Sequence, residues 1–266
     1  MCELETPSPA EPNAQKSPSF QLSWIDYWLL FVVEIAALLG MYISIFGIRI
    51  TLDSFVFIYF GPALVYAALT AAVAVTVPRK VSLPVLPIFE SWRAGSLTIR
   101  KIVSSVIVAA LVGTIASYAA LCYEQALIEW LGGGFSRRHV ATSAPGLVCT
   151  AILEEILFRA GLFPLLAVAI RWAWEQPDSC ATTIPVWIGN LLQALLFGAA
   201  HIAVGRGSLH GRPWYIQIPL VSQTWSGLIL GCVYLRYGIE TVIVCHATFD
   251  LLLLALARGV IRVPRI

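Results

Sequence analysis

Long apolar runs recur along this chain, and each is close to the ~20 residues a helix needs to cross the hydrocarbon of a bilayer. They lie at roughly 24–46, 54–77, 102–123, 145–170, 184–204, 215–235 and 241–257. They predict an all-α polytopic membrane bundle of about seven transmembrane helices, seven or eight. Composition agrees. Charged residues make up 12% of the chain and hydrophobic ones 59%, whereas soluble domains carry about 25% charged residues. Trp24, Tyr27, Trp28, Trp130, Trp172, Trp174 and Tyr215 fall near span ends, where interfacial aromatic belts sit. The run 81–89, broken by Pro84 and Pro87, is too short to cross and reads as interfacial.

Residues 1–21 are polar and carry Pro7, Pro9, Pro12 and Pro18, a composition that predicts a disordered tail. The basic start and apolar centre of a signal peptide are missing from it. Residues 22–266 then read as a single transmembrane domain. A net charge of +2 is too small to suggest a nucleic-acid partner. Cys2, Cys122, Cys149, Cys180, Cys232 and Cys245 form no CxxC pair, sit mostly in apolar runs, and receive no chemical role. Arg159 aside, Lys and Arg divide evenly between the two membrane sides, so the positive-inside rule ties. The basic cluster within 79–101 tips the reading toward a cytoplasmic N-terminus.

Charge inside the apolar runs is where function enters. Residues 149–161 place Glu154, Glu155 and Arg159 in mid-span. Each charge left at bilayer centre costs about 3 kcal/mol, so three together require a buried, paired arrangement. Arg159 is four residues after Glu155, on its helix face, in the favourable order with the acid first. Glu154 points about 100° away and has no local partner. An unpartnered carboxylate in apolar surroundings suits general acid or base work, although a structural ion pair beside a solvated glutamate uses the same residues.

Two later spans add histidine. Phe197 and His201 are spaced i, i+4, and so are His246 and Asp250. Facing lipid, these six ionisable groups would cost on the order of 15 kcal/mol together, so they must face inward, and one shared cavity is the simplest solution. Glu34, mid-span in the first run, reads as a helix-packing or cavity acid. Gly161, Gly198, Ala199, Gly227 and Gly231 supply small residues, and Gly227 with Gly231 forms a GxxxG that permits close helix approach. His139 and His210 lie in loops among arginines and read as solvated.

Three chemistries are open to this constellation. A glutamate and a histidine can deprotonate water for attack on an amide carbonyl, with the second histidine stabilising the oxyanion. Alternatively His201, His246 and one carboxylate, Glu154 or Asp250, would supply the donor set of catalytic zinc. The histidines lack the HExxH spacing that fixes two ligands on one helix face, and the metal-free route is preferred. Serine or cysteine nucleophiles have no support, since none sits on a motif face.

Glu154-Glu155-xxx-Arg159, Phe197-xxx-His201 and His246-xxx-Asp250, in that order on successive late spans, resemble the CPBP family of intramembrane endopeptidases. That family contains CAAX prenyl protease 2 and its bacterial relatives. The resemblance covers about residues 145–255. It implies that Glu154 and His201 activate water, that His246 and Asp250 stabilise the oxyanion, and that Glu155 and Arg159 hold the site together. The last motif usually ends in asparagine. An ionised aspartate cannot donate to an oxyanion, so Asp250 needs a proton or another task, such as orienting His246 or joining a metal shell. The implied activity is cleavage of a membrane-bound or prenylated protein or peptide, in CAAX-type processing or related peptide maturation. The address is the bacterial inner membrane, or the endoplasmic reticulum in a eukaryote. Some relatives act as catalytically idle scaffolds, and a proton-coupled transporter could use the same buried acids. An intact Glu154, His201 and His246 set favours the enzyme, and the lack of an inverted repeat argues against the carrier.

Overall fold

A computed structural model describes residues 24–46, 61–81, 83–130, 143–174, 183–205, 216–258 and 260. The tail 1–21, His139, His210, Cys2, Cys180 and the first part of the second apolar run lie outside them. Every regular element among the described residues is helical: α1 Trp24–Phe46, α2 Gly61–Lys80, α3 Pro87–Arg93, α4 Ile99–Trp130, α5 Ala144–Glu155, a π-helical segment Ile156–Leu162, α6 Phe163–Ala173, α7 Thr183–Gly205, α8 Gln217–Tyr237 and α9 Ile239–Ala257.

Among the described residues, five segments are long and apolar enough to cross a membrane: Trp24–Ser44, Ala63–Lys80, Ile99–Ala120, Ile184–Ile202 and Ile239–Leu256. The chain is therefore a multi-pass membrane helix bundle. The other two apolar runs are helical but differ in kind. The run 215–235 becomes α8, diluted by Gln217, Ser222, Gln223, Thr224 and Ser226. The run 145–170 reads as one span in the sequence, yet it is built from α5, the π-helical segment and α6. Pro164 supplies the physical reason. It has no N–H for the preceding turn and its ring crowds the carbonyl four residues back, and the wider π turn ends two residues before it. A single-turn π insertion of this kind is often found at a functional site.

Surface and interior divide as a bilayer requires. Val65, Leu69, Ile107, Leu111 and Ile115 are exposed in mid-helix, an outer surface that only lipid would cover. Trp24, Trp28 and Trp172 are exposed close to helix ends, where the aromatic belt was expected. The core gathers Leu30, Ala71, Val75, Ile156, Phe163, Leu230, Tyr234 and Val242 from six elements. The run 81–89 packs on the bundle, with Val81, Leu83, Val85 and Leu86 buried in that core. Glu240, in the first turn of α9, holds the run in place by accepting from the Ile88 and Phe89 N–H groups at 3.0 Å each. Gly238, at φ 81°, reverses the chain between α8 and α9 in a single residue. At the same end buried Asp26 accepts from Arg79 Nη2 at 2.5 Å and from Arg93 Nη1 at 3.3 Å, tying α1, α2 and α3 together. Burial pushes the neighbouring Glu90 carboxyl up, with Arg79 pulling it back.

Glycines set how near the site helices come. A Cβ on Gly227 would sit 3.0 Å from Ala194 Cα, and one on Gly231 would fall on Asn190 Oδ1, so the GxxxG does bring α8 against α7. Gly198 faces Thr224 and the Leu220 carbonyl. Across the bundle, a Cβ on Gly113 would lie 2.5 Å from the Cys245 carbonyl, so α4 packs directly on the backbone of α9 one residue before His246.

Candidate functional site

Glu154 and Glu155 close α5, and Arg159 lies in the π-helical segment that follows. The i, i+4 pair forms as the spacing predicts: Arg159 Nη1 donates to Glu155 Oε1 at 2.9 Å, with both side chains fully buried. The guanidinium also lies over the Phe197 ring, 4.2 Å from its centroid. Such a cation–π contact contributes about 2 kcal/mol when desolvated. The same ring meets Phe158 edge-on at 5.1 Å and His201 at 4.5 Å. Phe197 is thus a packing centre, touching the arginine of one element and the histidine of its own.

Glu155 has a second partner that spacing within one helix could not reveal. Its Oε1 also accepts from His246 Nδ1 at 2.6 Å, joining α5 to α9. His201 is tethered differently, with Nδ1 donating to the Phe197 carbonyl at 2.9 Å. Both imidazoles therefore use Nδ1 as a donor, and both leave Nε2 on the side of Glu154. Fixing one ring nitrogen in this way sets what the other can do.

Glu154 lies between the two free nitrogens. Its Oε1 is 3.9 Å from His201 Nε2, and its Oε2 is 3.8 Å from His246 Nε2. Asp250 Oδ2 completes the group at 3.8 Å from the same His246 nitrogen. These gaps are too long for direct hydrogen bonds and are the kind that a water bridges. Glu154, His201 and Asp250 stay partly exposed, at 23%, 22% and 17% of their side-chain surface, whereas Glu155 and Arg159 have none. The six groups expected to share a cavity do converge. They divide into an open layer of Glu154, His201 and Asp250 over a closed layer of Glu155 and Arg159, with His246 linking the two.

The donor set suits zinc in its chemistry. Ligands held about 2.0–2.1 Å from a tetrahedral zinc stand roughly 3.4 Å apart, closer than the 3.8 and 3.9 Å found here. No trio of His, Cys, Asp or Glu side chains among the described residues is arranged to hold a metal ion.

Several partners were not evident in the sequence. Glu34, expected as a packing or cavity acid, is fully buried and accepts from Thr70 Oγ1 at 2.6 Å, linking α1 to α2. Tyr66, one turn before Thr70, lies within electrostatic range of both Glu34 and Glu154. Nothing in its local sequence marks it. Asn190 and Gln193 carried a readable signal, two amides three residues apart in an apolar span. Gln193 Nε2 donates to Asn190 Oδ1 at 2.9 Å and to the Gly227 carbonyl at 3.1 Å, clamping α7 to α8 below the site.

No curated protein and no solved structure matches the chain. One family model does. It covers residues 137–252, the stretch that holds all three motifs, and it describes the type II CAAX prenyl endopeptidases of the Rce1-like kind. Over those residues the chain is similar to the Rce1-like type II CAAX prenyl endopeptidases, in agreement with the CPBP family that its motifs resemble.

Proposed function

We propose that this protein is an intramembrane endopeptidase that hydrolyses a peptide bond in a prenylated or otherwise membrane-anchored protein or peptide. The observation that carries the reading is the placement of Glu154 against two imidazole Nε2 atoms at 3.8 and 3.9 Å, each ring tethered through Nδ1. A water in that gap loses its proton to Glu154, with His201 Nε2 accepting its second hydrogen bond and aiming it. The resulting hydroxide adds to the scissile carbonyl. The tetrahedral oxyanion faces His246, whose imidazolium is balanced by the Glu155 carboxylate on its other nitrogen. Asp250, carrying a proton, donates beside it. Collapse expels the amine, which takes the proton held by Glu154. Proton transfer by a positioned side chain contributes about 10²–10⁴-fold, and each oxyanion donor about 10²–10³-fold. Arg159 and Phe197 contact no substrate in this scheme and act by positioning Glu155 and His201.

The test is hydrolysis itself. Purified protein in liposomes is incubated with a farnesylated peptide in ¹⁸O-labelled water, and products are read by mass spectrometry. The proposal expects two fragments, with one label in the new carboxylate. Intact peptide after prolonged incubation with folded protein would overturn it and favour a binding scaffold.

A further inference from the structure

The base is held less firmly than the groups around it. His201 and His246 are each fastened through Nδ1, at 2.9 and 2.6 Å, and Arg159 fastens Glu155 at 2.9 Å. Glu154 makes no such bond to a described residue, and the imidazole nitrogens on either side stand 3.8 and 3.9 Å away. We propose that Tyr66 supplies the missing tether, its phenol O–H donating to the Glu154 carboxylate through one bridging water. The assignment rests on the reading of Glu154 as the base. It makes Tyr66 a positioning residue, one that keeps the carboxylate between the two rings.

Helix register brings the two side chains to one depth. α1 and α5 run antiparallel, since Ser44 Oγ is 2.6 Å from Ser143 Oγ and a Cβ on Gly40 would meet Cys149 Sγ. Glu154, five residues past Cys149, therefore lies level with Ile35 of α1. α1 and α2 are antiparallel too, fixed by Thr70 on Glu34 and Arg79 on Asp26. Tyr66, four residues before Thr70, lies level with Leu38. The two levels are about 4.5 Å apart, less than one helical turn. α2 and α5 both oppose α1, so they run the same way, and their Cα–Cβ bonds lean toward the same membrane side. Chemistry agrees with this placement. Tyr66 is half-buried, shares a helix face with Thr70, and lies within electrostatic range of both Glu34 and Glu154. Its hydroxyl bonds no described residue, and a phenol hydrogen at bilayer depth needs an acceptor. Of the two acids, Glu34 is fully buried with both oxygens 2.6 Å from Thr70 Oγ1. Glu154 keeps open lone pairs and 23% of its side-chain surface, room for a water that serves both groups.

Tyr66→Phe removes one oxygen and keeps the ring. In liposomes it is expected to lower kcat for a farnesylated peptide by about 10- to 10²-fold, the worth of one hydrogen bond to a charged group, with KM and the unfolding midpoint unchanged. A kcat within about twofold of the parent would overturn the assignment. So would a fall in kcat matched by a lower unfolding midpoint, which marks a packing role. The second measurement needs no activity. Infrared difference spectra between the parent and Glu154→Gln protein isolate the carboxylate stretch of Glu154. In Tyr66→Phe protein that band is expected to be displaced, because its charge-assisted donor chain has gone. A band at the parent position would overturn the assignment even if the protein cleaves nothing, so the tether and the peptidase reading can fail separately.

Discussion

Neutralising Glu155 is the substitution whose cost follows most directly from the geometry. The Arg159 guanidinium is 2.9 Å from the carboxylate, with both groups cut off from solvent. At an effective dielectric near 20 the attraction at that distance is roughly 6 kcal/mol. Most of this only repays the desolvation of two ions. Removing one partner leaves the repayment undone, so Glu155→Gln and Arg159→Met should each destabilise the protein by about 3–5 kcal/mol. Arg159 has little else to turn to, since its Nε and Nη2 already lack hydrogen-bond partners among the described residues. The double variant removes both charges at once and should be at least about 2 kcal/mol more stable than the sum of the single losses. Unfolding of the purified proteins in detergent–lipid micelles, followed by tryptophan fluorescence over a denaturant series, gives the cycle. Strict additivity would refute the reasoning, because it would mean that neither group depends on the other for its burial.

Other expectations follow from single contacts. Asp250→Asn places a permanent donor where the proposal needs one and should keep kcat within about tenfold of the parent, while Asp250→Leu should lose about 10²-fold. The reverse ranking would point to an anionic role for Asp250. Gly113→Val would drive a side chain into the Cys245 carbonyl, 2.5 Å from the first added carbon, and should lower folded yield and loosen α4 from α9. Normal yield and an unshifted unfolding midpoint would show that those helices separate at little cost. On metal, depleted protein should retain full activity. Stoichiometric zinc by elemental analysis, with activity lost on chelation and restored by zinc, would replace the proposed mechanism.

What the sequence could reveal depended on whether a contact lies along one helix or between two. Glu155 with Arg159 and Phe197 with His201 are neighbours through helix periodicity, and both pairs are found in contact. The inward convergence of His201, His246, Glu154 and Asp250 also followed, because the bilayer leaves ionisable groups few other places. By contrast, the bond from His246 to Glu155 spans 91 residues, and no local pattern encodes it. The break of 145–170 into three helices had a visible cause in Pro164, yet the hydropathy of the run is continuous, and a span reading follows hydropathy. Burial of 81–89 was illegible for a related reason. Its hydrophobicity suits a lipid interface as well as a protein core, and the bonds that fasten it, from Ile88 and Phe89 to Glu240 and from the Ile239 N–H to the Val85 carbonyl, come from about 150 residues away.

The central claim is that Glu154 is the base that activates water. Glu154→Gln keeps the size of the side chain and removes only its capacity to take a proton, at a position still 23% exposed, so folding should be nearly untouched. The decisive measurement is the rate of farnesylated-peptide cleavage by Glu154→Gln protein in liposomes, together with its unfolding free energy. The account predicts a rate lower by at least about 10³-fold, within the range that a general base contributes, and a stability within about 1 kcal/mol of the parent. Cleavage within a factor of about ten of the parent rate, by protein equally well folded, would contradict it.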